Sequence, residues 1–284
     1  MEIIEQGNTS GDFSIFEKAV DQMEGLQPIP AVAQRLLSLT SRPDAALEEI
    51  ARLIASDAAL TARVLRVAAS PLYGGKAPSS LQAAVVRLGL NEVRNLALSA
   101  SVAAQPPDAF HRSLWQHTLG SAVLADSLAR RLGKHRFCEP FVCALLHELG
   151  TLVLAKIEGA SYHALVGRIG SRAQVEREQT AYGFTHCDIG ALAVQRWNLF
   201  DGIEEVIQFH HDPLAAEMLD FPAPVLATVF LVALTAALLE SPEEALGEEP
   251  VATLLERLGT DEAVVREQLE KARGPMGQYL AALA

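Results

Sequence analysis

The chain has 284 residues, 50% of them hydrophobic and only 6% aromatic, with a formal net charge of −12 at neutral pH. A chain of this size can bury a sizeable core without disulfides or metal, and its Gly and Pro content is too ordinary for wholesale disorder. The negative balance, with no long Lys/Arg cluster, argues against nucleic acid as a partner, because phosphate neutralisation needs a basic face.

The start, MEIIEQGNTSGDF, carries neither a basic region nor an apolar one, so residues 1–24 read as a loosely held lead-in and no secretory signal is expected. Helices follow. Pro30 can open the first, with Val32, Leu36, Leu37 and Leu39 at helical spacing. Pro43-Asp44 punctuates, and Leu47, Ile50, Ala51 and Ile54 make a second stripe. Asp57 is placed to cap a third helix bearing Leu60, Val64, Leu65 and Ala68. After the turn-rich SPLYGGKAPSS, Ser79 or Ser80 caps a fourth helix, Gly89 closes it, and Leu90 to Ala104 forms a fifth. These helices, with short joints, predict a bundle. Part of it, EEIARLIASDAALTARVLRVA, resembles a helix-turn-helix, but ordinary core helices on an acidic chain explain it better.

Pro106-Pro107 marks a joint. Beyond it the periodicity predicts helices near 111–132, 137–156, 160–169, 172–181, 186–197, 201–210 and 223–240, and in the acidic tail another near 261–272. No strand alternation appears, so the expected class is all-α. Pro224 to Leu239 is the most apolar stretch, but it contains Thr228 and Thr235 and is short for a membrane span. Cys138, Cys143 and Cys187 are odd in number and lack metal-finger spacing, as expected of reduced thiols in a cytoplasmic protein.

Five of the eight histidines form a set: His117, His147, His186, His210 and His211. His117 shares a helix face with Ser121, Leu124 and Leu128, and His147 with Cys143 and Ala144. His186 lies with Gly190, Ala193 and Trp197, and His210 follows Ile203, Val206 and Ile207. Four imidazoles on four helices therefore face inward, and the small residues Cys143, Ala144, Gly190 and Ala193 leave room for an ion or ligand. A lone inward histidine is most simply a hydrogen-bonded core residue. A set of them is costlier to bury and suits a metal site, with Glu148 adding a carboxylate. Cys187 beside His186 points about 100° away on a regular helix, which makes it a poor ligand.

The segments LQPIPAVAQRLLSL, LEEIARLIASDAALTARVLRVAASPLYG and SSLQAAVVRLGLNEVRNLALSASV resemble the opening of HDOD domains. The resemblance continues through LWQHTLGSAVLADSLARRLG, FVCALLHELGTLVL and FTHCDIGALAVQRWNLFDGIEEVIQFHHDP, in the right order. It implies an all-helical bundle related to HD and HD-GYP phosphohydrolases. An HDOD domain would span 25–240, with an N-terminal helical part over 25–105 packed on an HD-like core over 106–240 and a tail over 241–284. It also implies that His117 matches the first metal-binding histidine, His147 the histidine of the His-Asp pair, and His186, His210 and His211 the later ones. Glu148 stands where that pair has aspartate, and Leu234 stands at the expected late aspartate. No acid occurs between Asp220 and Glu240.

HDOD proteins are regarded as non-catalytic relatives used in bacterial signalling, so the expected function is a regulatory module acting through signalling proteins or a bound ligand. A histidine-rich residual site would hold a divalent transition metal: Zn, Ni, Fe or Mn. The alternatives are a metal-dependent phosphodiesterase using His117, His147, Glu148, His186 and His210, and a nucleotide sensor that keeps the cleft without chemistry. A different carboxylate among the histidines, such as Glu178 or Asp188, would favour the enzyme.

Overall fold

The computed structural model describes residues 31–40, 46–103, 108–197, 199, 201–240 and 242–283. The expected lead-in over 1–24, the punctuation at Pro43-Asp44 and the joint at Pro106-Pro107 lie outside them. All regular structure among the described residues is helical, with no strand. Two compact units form: one holds Asp108–Leu269, the other the described residues of Gln27–Pro107 and of Glu270–Ala284.

The second unit contains α1 (Ala31–Thr40), α2 (Leu47–Ala55), α3 (Ala58–Ala68), α4 (Leu81–Leu88) and α5 (Leu90–Ala103). Ile50, Ala51 and Ile54 of α2 are buried, while Glu48 and Glu49 in its first turn suit the positive end of the helix dipole. Asp57 accepts the Leu60 N–H at 3.0 Å and Ser80 accepts the Ala83 N–H at 3.1 Å, each satisfying an otherwise orphaned helix donor. Asp57→Ala should therefore cost about 1 kcal/mol, read as a lower urea midpoint with an unchanged m-value.

The larger unit is built on α6 (Ala109–Leu132), α7 (Pro140–Leu146), α8 (Leu149–Glu158), α9 (Ala160–Val166), α10 (Arg172–Tyr182), α11 (His186–Arg196), α12 (Ile203–Phe209), α13 (Ala223–Glu240), α14 (Pro242–Leu246), α15 (Glu249–Leu258) and the part of α16 (Glu262–Leu283) up to Leu269, the rest of which belongs to the second unit. Helix α13 is apolar all round, which suits only a buried helix. It packs against α6, α7, α12 and α15, and Val229, Leu231, Val232, Leu234 and Leu238 are fully buried. Its Thr228 and Thr235 hydroxyls are satisfied by the carbonyls of Pro224 and Val232, at 2.7 and 3.1 Å. The stretch Pro140–Glu158 is long and apolar enough to cross a membrane by length and composition, yet 89% of it is buried within the fold.

Two expectations need correction. The helix expected over 137–156 is broken at His147–Glu148 into α7 and α8. The His147 ring takes the Ala144 carbonyl and Glu148 adopts φ −93°, ψ 20°, outside the helical well. The tail also holds more helix than expected. Helices α14 and α15 precede α16, which continues to Leu283 through Pro275. Anchors on either side outweigh the proline: the Ser127 hydroxyl donates to Gln268 at 2.9 Å, and the Ser70 hydroxyl to Gln278 at 3.0 Å.

Candidate metal centre

His147 and His210 are placed by the same local device. Each is the residue that closes a short helix, α7 or α12. Each ring reaches back to the carbonyl three residues earlier: Nδ1 of His147 to Ala144 at 2.6 Å, Nδ1 of His210 to Ile207 at 2.8 Å. A carbonyl can only accept, so Nδ1 carries the proton and Nε2 keeps a free lone pair. His186, the first residue of α11, donates Nδ1–H to Glu178 Oε2 at 2.7 Å, which likewise turns its Nε2 inward. His117 projects from the middle of α6.

These nitrogens converge. Nε2 of His117 lies 3.0 Å from Nε2 of His147, and Nε2 of His186 lies 3.4 Å from Nε2 of His210. Glu148 stands between the pairs, with Oε1 3.9 Å from His117 Nε2 and Oε2 3.6 Å from His186 Nε2. Two donors on one tetrahedral ion with bonds of ~2.0–2.1 Å sit about 3.3 Å apart, so the spacing fits ligands of a common ion. Two groups among the described residues could hold one: Glu148 with His186, His210 and His211, and His117 with His147 and Glu148. Glu148 Oε1 is buried without a hydrogen-bond partner, the kind of orphan that a cation relieves. The residues present therefore fit a divalent transition metal, and the donor set is nitrogen-rich with one carboxylate.

Behind the imidazoles runs a buried polar network. The Thr151 hydroxyl donates to Glu148 Oε2 at 2.5 Å and accepts from Gln174 Nε2 at 2.8 Å. Glu178 Oε1 accepts from Tyr162 Oη at 2.5 Å and from Gln174 Nε2 at 3.0 Å. Burial opposes ionisation of Glu178, but the His186 charge and the hydrogen bonds from His186 and Tyr162 bring it down to about 2. Burial, with the neighbouring imidazoles, holds His117 and His210 well below the ordinary histidine range and takes His211 down to about 3. Burial also lowers His147 against the pull of Glu148. Burial works against charge on His186 as well, yet the Cys187 sulfur and the Glu178 and Glu148 carboxylates raise it well above that range. Because burial pushes the Cys187 thiol up too, the Glu178 carboxylate is the anion that persists beside His186 at neutral pH.

Placement of the remaining candidates is mixed. The His211 ring lies 4.2 Å from that of His210 and 5.1 Å from that of His186, with its Nε2 buried and unpartnered. Leu234 is fully buried on α13. Asp188 caps α11, accepting from the Thr185 backbone at 2.7 Å, and takes Gln208 at 2.9 Å; it does not join the histidines. Glu178 does join them, one shell out.

One reading stands beside a new contact and one changes. The Cys187 sulfur lies 3.7 Å from His186 Nε2 and 3.9 Å from His210 Nδ1, yet Cys187 belongs to neither group of candidate ligands. Gly190 does not leave space for a ligand. A Cβ there would stand 2.7 Å from Ile207 Cγ2 and 3.0 Å from the Gly150 nitrogen, so its smallness serves the helix crossing.

Known proteins place this arrangement. The HDOD domain model matches residues 26–213, well over half of the chain. An uncharacterized protein of Treponema pallidum (strain Nichols) is 28% identical over 232 residues, covering 78% of this chain. The chain spans only 44% of that relative's length. The crystal structure of an HDOD domain protein of unknown function from Geobacter sulfurreducens is 25% identical, with a TM-score of 0.71 over 95% of this chain and 97% of that one. A protein of Shewanella amazonensis SB2B, provisionally named a phosphohydrolase, is also 25% identical, with a TM-score of 0.68 over 94% and 98% of the two chains. By its helical fold, its histidine constellation and the match over 26–213, the chain belongs to the HDOD domain family.

Proposed function

We propose that this HDOD chain is a regulatory module of bacterial signal transduction whose histidine-rich centre holds a transition-metal ion without turning over phosphate esters. It acts through signalling partners or a bound ligand, in the cytoplasm. The carrying observation is the donor balance: four convergent imidazoles share one carboxylate, Glu148, and α13, which bears Leu234, has no acid from Ala223 to Leu239. Hard-metal phosphate chemistry depends on carboxylate charge and on an open, well-ordered water position, whereas nitrogen donors suit Zn, Ni or Fe.

When bound, the ion would supply Lewis acidity and an ordered water. The chain's own part is to hold His147 and His210 through their Nδ1–H bonds to backbone carbonyls, and His186 through Glu178, so that Nε2 lone pairs face one point. Glu148 is held by Thr151, which leaves its Oε1 for the ion.

The second reading, a metal-dependent phosphohydrolase, draws on that unpartnered Glu148 oxygen, on the Glu178 carboxylate beside His186 and on the name of the Shewanella protein. Metal analysis of protein purified without added metal, paired with a phosphodiesterase assay, separates the two. The expected outcome is bound transition metal with no turnover. Turnover lost on His147→Ala would replace the regulatory reading with the enzymatic one, and nucleotide binding with neither metal nor turnover would make the chain a sensor.

A further inference from the structure

Glu178 is a buried acid whose ion-pair partner among the described residues is His186. Three neighbours supply four donors to it: the Tyr162 hydroxyl and Gln174 Nε2 to Oε1, and the His186 backbone N–H (2.8 Å) and Nδ1–H (2.7 Å) to Oε2. Four converging donors fit a carboxylate and leave no place for an amide's N–H. The Asp188 carboxylate takes the Thr185 backbone N–H at the start of α11, and Glu178 takes the next one, that of His186. Its second bond, to the His186 Nδ1–H, acts on the ring and not on the helix end.

We infer that Glu178 is a positioning residue of the metal centre: from α10 it fixes the His186 ring by its Nδ1–H and returns, one shell out, negative charge that Leu234 does not supply. This rests on the metal reading above. A carboxylate behind a ligand imidazole fixes the tautomer, orients the ring and makes Nε2 a stronger donor. Because Thr151 and Gln174 join Glu178 to Glu148, both the carboxylate that faces the ion and the one behind His186 belong to one buried network spanning α8, α9, α10 and α11.

The test compares the wild type, Glu178→Gln and Ser171→Ala by Zn2+ titration of chelator-stripped protein against a chromophoric chelator. Ser171 accepts the Gln174 N–H at the start of α10 and makes no contact with His186, so its loss loosens the helix alone. Glu178→Gln should weaken Zn2+ binding about 10–100-fold, while Ser171→Ala stays within about twofold. Equal affinity for Glu178→Gln and wild type, or an equal loss in Ser171→Ala, overturns the positioning role and leaves the metal reading standing. A wild type that takes no Zn2+ overturns both. If Glu178→Gln fails to fold, 15N spectra of histidine-labelled, metal-free wild type decide: a protonated, strongly hydrogen-bonded Nδ1 on His186 supports the assignment, and an unprotonated Nδ1 overturns it.

Discussion

Gly150→Ala is expected to destabilise the protein by about 3 kcal/mol or more and to disturb the histidine centre at the same time. Helices α8 and α11 cross at Gly150 and Gly190 with backbone against backbone. A Cβ on Gly150 would run into the His186 carbonyl oxygen and stand 2.7 Å from its carbonyl carbon and 2.8 Å from the Gly190 nitrogen. Those are backbone atoms of a helix, with no flexible side chain to move aside, so the helices themselves must part. The same shift would carry His186 away from Glu148, two residues before Gly150. A urea melt should show the midpoint falling steeply, and Zn2+ affinity should fall with it. A loss below about 1 kcal/mol would mean that the crossing is looser than described.

The second large effect belongs to His186→Ala. It should weaken Zn2+ binding by about 100-fold or more, as loss of an inward ligand together with its outer-shell bond does. It should also destabilise the metal-free protein by about 3 kcal/mol, because breaking a buried pair strands the remaining charge. Here that charge is Glu178, left with only Tyr162, Gln174 and a backbone N–H. His117→Ala offers the contrast. Its nearest carboxylate oxygen is 3.9 Å away, so metal affinity should fall with a smaller loss of fold stability. Adding Glu178→Leu to His186→Ala should recover part of the stability and none of the metal binding, as the double-mutant cycle of a charged pair requires.

Much of this was legible in the sequence, for identifiable reasons. Helical periodicity located α2, α3, α6, α10, α11 and α13, since each buries a stripe or is apolar throughout. The inward histidines stood out because imidazole is costly to bury. The break between α7 and α8 was hidden, because FVCALLHELGTLVL reads as one uninterrupted apolar helix and the interruption comes from the His147 ring competing for a backbone carbonyl. That break matters to the site: neighbours on a regular helix diverge by about 100°, yet His147 and Glu148 both reach it. Glu178 appeared only as an alternative, since RAQVEREQTAY is mostly polar and residue type alone does not separate the buried Gln174 and Glu178 from the exposed Arg172 and Glu176. The i, i+4 spacing of Gln174 and Glu178 with Tyr182, all buried, was the available signal. Gly190 was read as room for a ligand because a sequence does not show which backbone will occupy the space of a missing Cβ.

Calorimetric titration of chelator-stripped protein with Zn2+ and, separately, with Mg2+ tests the central claim most directly. A nitrogen-rich centre with one carboxylate should bind Zn2+ saturably and show no heat with Mg2+, which demands oxygen ligands in near-octahedral order. Binding of Mg2+ with no binding of Zn2+ would contradict the account.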